Sequence, residues 1–427
     1  MKKIVLAYLL FASILFIVVS KQNIILAQQN IQLTLPQAEN IFLQNNLKLI
    51  AEKYNISIAE ANVIQAKLFE NPNLNVEQNI YYAEDDKYFD FNKTNTIQIE
   101  QLFTLAGKRN KRINIEKINL DIAQLQFQTI LIELKSTLRE LFINAFYLNK
   151  SIAVYDKGIN YLTKLIDVYD KQYEKGNVSL IEKARLKALL LTLQTEQYEI
   201  KTELIDINKE LNMLLNQNAE TTIIPTLDAN PLRTFAFDNN TYNTLLNEIN
   251  NIPQMLIAKK EIEAAEANIK LQKAIRIPDL TIGLGYEREG YLRPENVTLS
   301  FTIDLPIFNR NQGEIKIAEA LYYQNQTLYK QTEKEITNEL YAAYNKAQQS
   351  LNIYNSVDKE LESDFDKLIV GIANSFEKKA ISMLEFIDYY ETYKETSILL
   401  NKIEKDTIIA IEDINKIIGK EHFNIVR

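Results

Sequence analysis

Side chains able to do covalent or metal chemistry are scarce in this sequence. There is no cysteine, and the single histidine, His422, stands near the C-terminus. That excludes disulfides, thiol catalysis and lipid attachment through an N-terminal cysteine, and it leaves no His/Cys cluster for a metal. No Walker or Rossmann glycine motif and no serine–histidine pair beside a glycine elbow occurs, so phosphate cradling and nucleophilic hydrolysis lack the residues to perform them. Met213, Met255 and Met383 are not gathered by any spacing. No enzyme, no cofactor and no resident metal are expected, and His422 is expected to be a solvated terminal side chain. What recurs is a hydroxyl with a carboxylate three residues on, Ser179 with Glu182 and Ser382 with Glu385. That is the spacing of a helix N-terminal capping box, so the pairs read first as two helix starts.

The elements that position these pairs are very long. Between Arg109 and Leu215 there is no proline and only Gly158 and Gly176, while Leu120, Ala123, Phe127, Ile130, Leu134, Leu138, Leu141, Ala145 and Leu148 recur in steps of three and four. That is helical spacing. A helix from about residue 109 to 175 would be roughly 100 Å long at ~1.5 Å per residue, which no ordinary compact domain holds. Lys175 to Ser179 reads as a turn, with Gly176 ending one helix and Ser179 capping the next. The stretch is a long antiparallel helical hairpin.

The hairpin has a second copy. Ala59, Glu60, Ala61 and Asn62 lie over Ala265, Glu266, Ala267 and Asn268, and Pro72 and Leu74 lie over Pro278 and Leu280. Tyr173, Glu174, Lys175 and Ser179 to Glu182 lie over Phe376, Glu377, Lys378 and Ser382 to Glu385. An internal twofold repeat follows: residues 28–216, a connector at 217–241 rich in asparagine and proline, and residues 242–427. Helices are expected near 38–70, 109–175, 179–215, 242–276, 312–378 and 382–417.

After Pro72 the period changes to two. Leu74, Val76, Ile80 and Tyr82 alternate with Asn73, Asn75, Glu77, Asn79 and Tyr81, and a second run sets Ile97, Ile99, Gln101 and Phe103 against Gln98, Glu100 and Leu102. The second half repeats this at Leu280 to Tyr286 and Val297 to Ile303. Each half thus holds one β-hairpin, with strands near 73–82, 95–104, 279–287 and 296–304, the ~10-residue length that crosses an outer membrane when tilted. Tyr81, Tyr82, Tyr88, Phe89, Phe91, Tyr286 and Tyr291 gather at the hairpin tips, and Phe69, Phe103 and Phe308 at the other strand ends. Two aromatic belts around an apolar band match a bilayer, whereas the plainer alternative is an amphipathic sheet lying on a soluble core. Four strands cannot close a pore, since about eight are needed merely to enclose a packed interior, so a barrel must be shared among protomers. The charged tips, at Glu84 to Lys87 and Glu287 to Gly290, read as water-facing loops.

Residues 1–27 read as a secretory signal peptide: Lys2 and Lys3, an apolar run from Ile4 to Val19, and Ala27 before Gln28. The alternative is a retained N-terminal anchor. Removing Lys2, Lys3 and Lys21 takes the formal charge from −8 to −11, and so acidic a protein does not favour nucleic acid as partner.

The order helix, hairpin, long helix, turn, helix, used twice, resembles the TolC-type outer membrane efflux channels, and within them the branch serving heavy-metal pumps of the RND type. The local matches are Leu105 to Arg109, Leu305 to Gly313, and the turns around Gly176 and Lys379. The resemblance implies a mostly α chain of long helical hairpins, with two β-hairpins adding to a trimeric 12-stranded barrel in outer membrane lipid, continued by a coiled-coil tunnel across the periplasm. It implies a passive exit duct working with a periplasmic adaptor (membrane fusion) protein and an inner membrane RND or ABC transporter. Type I protein secretion is the alternative within the fold, and a soluble periplasmic coiled-coil scaffold the alternative outside it. By the same resemblance, the turns at Gly176, Ser179, Lys379 and Ser382 form the periplasmic entrance, with Glu182, Glu385 and Asp388 as axis-facing carboxylates. For Glu182 a plain first-turn helix cap is an equal reading. Two features depart from the branch: many of its members carry an N-terminal lipid on cysteine, and Lys379 stands where a glycine is expected.

Overall fold

The structure is a computed structural model that describes residues 29–84, 86–90, 93–289, 295–358 and 361–426. The expected signal peptide and Asp85, Phe91, Gly290 and Tyr291 lie outside the described residues.

The longest element is α3 (Lys108–Glu174), 67 residues in one helix, or about 100 Å at ~1.5 Å per residue. It returns through α4 (Leu180–Leu215). Ahead of α3 come β1 (Gln29–Thr34), α1 (Leu35–Asn45), α2 (Leu47–Lys67), β2 (Asn73–Gln78), a short hairpin of β3 (Tyr81–Tyr82) and β4 (Lys87–Tyr88), and β5 (Thr94–Phe103). After α4 come β6 (Thr221–Thr226), α5 (Thr241–Glu248), α6 (Pro253–Ile275), β7 (Leu280–Glu289), β8 (Asn296–Ile303), α7 (Gln312–Ser356), α8 (Leu361–Glu377) and α9 (Met383–Ile418).

Three of the expected helices are divided. The segment at 38–70 breaks at Asn46, whose backbone is extended and whose side chain caps α2 by accepting from the Leu49 N–H at 2.8 Å. An asparagine oxygen so placed satisfies one of the orphan donors of a helix start. The segment at 242–276 breaks at Ile249–Asn251, where a 3₁₀ turn leads into Pro253 at the start of α6. The segment at 312–378 ends at Ser356, followed by extended Val357. The connector at 217–241 holds β6, which pairs in parallel with β1 from Gln29↔Thr221 to Thr34↔Thr226.

The strands β2, β5, β7 and β8 form one antiparallel sheet in the order β2–β5–β7–β8. Beneath it α2, α3, α6 and α7 pack side by side in that same order, so each strand stands above the helix adjoining it in the chain. Farther along α3, the hairpin partner α4 and the returning α9 take over as its neighbours. Two apolar cores follow from this. One gathers Phe42, Leu138, Phe142, Leu211, Leu215, Leu340, Ile408 and Ile411 around the middle of α3. The other gathers Leu162, Leu165, Leu186, Leu193, Phe376, Phe386 and Tyr390 toward the helical turns. Burying each such Leu, Ile or Phe contributes roughly 1.5–3 kcal/mol, which is what lets helices of weak intrinsic amphipathicity hold together.

The C-terminal segment corrects one expectation. His422 is tucked against Phe423, ring centroids 4.7 Å apart, with its Nδ1 3.9 Å from Glu248. It is not a solvated end, because Ile425 and Val426 are buried beyond it and Asn415 latches the Phe423 backbone through two bonds of 2.8 Å.

Candidate functional site

The two helical turns have the same build. α3 ends where Gly176 takes φ +75°, so that the Gly176 N–H donates to Tyr173 O at 2.9 Å and the Asn177 N–H to Gln172 O at 2.9 Å. α8 ends where Lys379 takes φ +59°, with the Lys379 N–H on Phe376 O at 2.9 Å and the Ala380 N–H on Ser375 O at 2.8 Å. Both are Schellman closures, so the lysine reproduces the glycine geometry in a left-handed conformation that costs an L-residue about 1–2 kcal/mol.

The helix starts match as well. The Glu182 N–H donates to Ser179 Oγ at 3.2 Å, while the Ser179 N–H and hydroxyl donate to Glu182 Oε2 at 2.9 and 2.8 Å. In the second turn the Glu385 N–H donates to Ser382 Oγ at 3.3 Å, and the Ser382 N–H and hydroxyl donate to Glu385 Oε2 at 2.7 and 2.8 Å. These bonds hold both carboxyls below the ordinary Glu range; for Glu182 burial works against them and the Lys379 charge adds to them. Glu182 and Glu385 are therefore ionised helix caps at neutral pH, while Asp388 is exposed one turn farther along α9.

Both turns lie at one end of the molecule. Phe376 stacks on Tyr169 at 6.0 Å and on Phe386 at 4.6 Å, and Lys379 is near enough to act on Glu182. Across the first hairpin Asp170 pairs with Lys183 at 2.8 Å and Lys187 at 3.2 Å.

At the opposite end the sheet has two unlike faces. On one, Leu74, Ile99, Leu284 and Leu299 form a register row, as do Val76, Ile97, Tyr286 and Val297. Leu74, Val76, Ile97, Ile99, Leu284, Val297, Leu299, Phe301 and Ile303 are all exposed. The other face carries Asn75, Gln98, Gly285 and Thr298 in one row and Asn73, Glu100, Gly283 and Ser300 in the next. Exposed Phe69, Phe103 and Phe308 mark the foot of the sheet, and Phe308 is 91% exposed. There the Arg109 guanidinium lies 3.7 Å over the Phe69 ring. Lys108 is buried on Asp279 at 2.7 Å, and the Asp279 carboxylate also accepts the Leu105 N–H at 2.8 Å, which ties the start of α3 to the start of β7.

Sequence reasoning missed the charged groups inside the helical column. Arg139 is buried among Leu138, Phe142 and Ile143. It donates to Glu412 through Nε at 2.9 Å and Nη2 at 2.7 Å, and through Nη1 to Glu39 at 2.6 Å and Glu421 at 3.0 Å. Burial lowers the guanidinium pKa, but the carboxylates around it more than reverse that. Lys394 is likewise buried on Glu196 at 2.9 Å. Gly158 is the close approach of the column: a Cβ there would collide with the Tyr390 hydroxyl. The signal available beforehand was a charge at a core-facing position, Arg139 between Leu138 and Phe142 and Glu412 between Ile411 and Ile414.

An open-edged sheet with an outward apolar face, running into a helical column of about 100 Å, defines a channel-type membrane protein rather than an enzyme fold. The profile of the outer membrane efflux protein family matches residues 40–217 and 245–361, and the chain belongs to that family. Cobalt-zinc-cadmium resistance protein CzcC of Cupriavidus metallidurans is 22% identical over 391 residues, covering 91% of this chain and 90% of CzcC. Nickel-cobalt-cadmium resistance protein NccC of Alcaligenes xylosoxydans is 20% identical over 302 residues, covering 69% and 67%. Among solved structures, CusC superposes with a TM-score of 0.72 at 16% identity over 90% of this chain and 92% of that one. VceC of Vibrio cholerae gives 0.71 at 15% over 90% and 96%. The protein is an outer membrane efflux channel component. Among the described residues no helix is long and apolar enough to cross a membrane.

Proposed function

We propose that three copies of this chain close into a 12-stranded outer membrane barrel continued by a helical tunnel through the periplasm, a passive exit duct of a tripartite efflux system. The observation that carries this reading is the pair of open edges. β2 and β8 each have one neighbour among the described residues, and the sheet is antiparallel throughout. Adding the next copy's β8 to β2 continues the alternation, and a closed barrel removes the edges that would otherwise recruit strands at random. The helical layer has matching edges: Ile50, Tyr54 and Ile58 are exposed on α2, and Ile317, Leu321 and Tyr323 on α7.

A duct of this kind does no catalysis, so its drive comes from an inner membrane RND or ABC transporter through a periplasmic adaptor meeting the end where the Gly176 and Lys379 turns lie. The division into residues 28–216, the 217–241 connector and 242–427 as two repeats is supported by the identical closure and capping of the two turns. Glu182, Glu385 and Asp388 act there as a weak charge filter favouring cations. Glu182 and Glu385 also cap helices, whereas Asp388 stands one turn beyond the cap of α9.

The names of CzcC and NccC support divalent metal ions as cargo. With no cysteine and one histidine the duct offers little soft-ligand chemistry of its own, so metal choice falls to the pump. Disrupting this chain in its host should raise retained cobalt, zinc or cadmium after a metal pulse. Unchanged retention of all three would remove metals from the cargo.

A further inference from the structure

The polar face of the sheet has a relief that alternation alone does not explain. Gln98 stands opposite Gly285 and Glu100 opposite Gly283, and across the next strand Gly285 faces Thr298 and Gly283 faces Ser300. Neither glycine has a left-handed backbone, so conformational freedom is not the reason for glycine here. Space is. A Cβ on Gly283 would collide with Ser300 Oγ and stand 3.3 Å from both Gln98 Nε2 and Glu100 Cγ, and one on Gly285 would stand 2.6 Å from Thr298 Oγ1. Gln98 and Glu100 lie across the glycine row, joined by a 2.7 Å bond from Gln98 Nε2 to Glu100 Oε1. Long side chains on a strand ordinarily stand perpendicular to the sheet, so this pair lies over toward β7 because the neighbours on that side have no side chains, whereas Asn73 and Asn75 flank it on the other.

We propose that Gln98 and Glu100, folded onto the floor made by Gly283 and Gly285, set the bore of the barrel at their height and hold a carboxylate on its wall that favours hydrated cations in transit. This rests on the shared-barrel reading, with the polar face lining the lumen. Twelve strands about 4.8 Å apart and tilted about 40° give a backbone radius of roughly 12 Å. A flat side chain leaves roughly 2 Å more of that radius open than a standing one, at three places around the ring.

The test is single-channel recording from the full-length channel in neutral-lipid bilayers. Gly283→Thr, a residue strands favour, fills the floor and lifts Glu100, and conductance should fall by roughly a tenth to a fifth from the lost area. Removing bulk with Gln98→Ala and Glu100→Ala together should raise conductance above the unaltered channel. Glu100→Gln should keep conductance and lower the cation-to-anion permeability ratio, by roughly 1.5-fold for one ring of three charges. If Gly283→Thr does not assemble, the alanine pair decides alone, since it trims solvent-facing atoms. Conducting variants with unaltered conductance and ion preference would overturn the inference. An unaltered chain that opens no channels would overturn the barrel reading instead.

Discussion

Replacing Arg139 with methionine tests how the helical column is held together. Arg139 joins α3 to α9 through Glu412, to α1 through Glu39 and to the C-terminal segment through Glu421. Not all these partners would be stranded: Lys135 still pairs with Glu39 at 3.1 Å and Glu421 at 2.6 Å. Glu412, with its side chain 9% exposed, would keep, among the described residues, only the 3.3 Å bond from Asn415. Breaking a buried ion pair by removing one partner costs about 3–5 kcal/mol, and with one of three carboxylates stranded the lower end, ~3 kcal/mol, applies. In a chain of this size that lowers the melting midpoint of the detergent-solubilised channel by roughly 3 °C. Adding Glu412→Leu should recover most of the loss, because an apolar pair of similar volume replaces a buried ion pair at little cost. A single variant that melts with the unaltered protein, or a double variant no better than the single, would refute the reasoning. The same cluster gives a pH dependence. Burial raises the Glu421 carboxyl pKa, but the Lys135 hydrogen bond and the Arg139 charge outweigh it and leave it depressed. Its stabilisation is therefore complete above the unfolded value of about 4.3 and is lost as pH falls through the folded value.

Lys379→Gly removes a left-handed lysine, and after the extra chain entropy of glycine a gain of about 0.5–1 kcal/mol remains, readable as a higher melting midpoint. Gly158→Ala drives a methyl group into the Tyr390 hydroxyl and should cost about 2 kcal/mol of overpacking; adding Tyr390→Phe, which removes the clashing oxygen, should return part of it. Glu182→Gln, Glu385→Gln and Asp388→Asn together should lower cation preference in single-channel recordings and leave the trimer intact. Unchanged preference would remove these residues from the entrance.

Much of this molecule is legible in its sequence where the physics is local. The period of α3, the glycine closing it at Gly176 and the Ser-x-x-Glu starts of α4 and α9 depend on residues within a turn of one another, and each lies where its spacing predicts. The strand alternation did the same for β5, β7 and β8, whereas the strand expected at 73–82 stops at Gln78, and Tyr81 and Tyr82 pair instead with Tyr88 and Lys87 in a separate short hairpin. Lys379 shows the limit of a residue-type rule, since hydrogen bonds at its turn outweigh the strain of a non-glycine left-handed residue. The pairing of β1 with β6 was not legible, because its partners are far apart in the chain, with Thr226 Oγ1 donating to Leu33 O across 193 residues. The break after Ser356 carries no proline or glycine. Asn355, Ser356 and Asp358 are poor helix residues whose side chains compete for the backbone, a signal that proline counting overlooks. The Arg139 cluster draws its partners from α1, α9 and the C-terminal segment, so only the packed structure brings them together.

The most direct test of a passive trimeric duct is to purify the full chain in detergent, measure its oligomeric mass and record its current in a planar bilayer with no nucleotide and no proton gradient. The account predicts a trimer that gives stepwise, ohmic currents. A monomer that stays in solution without detergent and leaves the bilayer silent would contradict it.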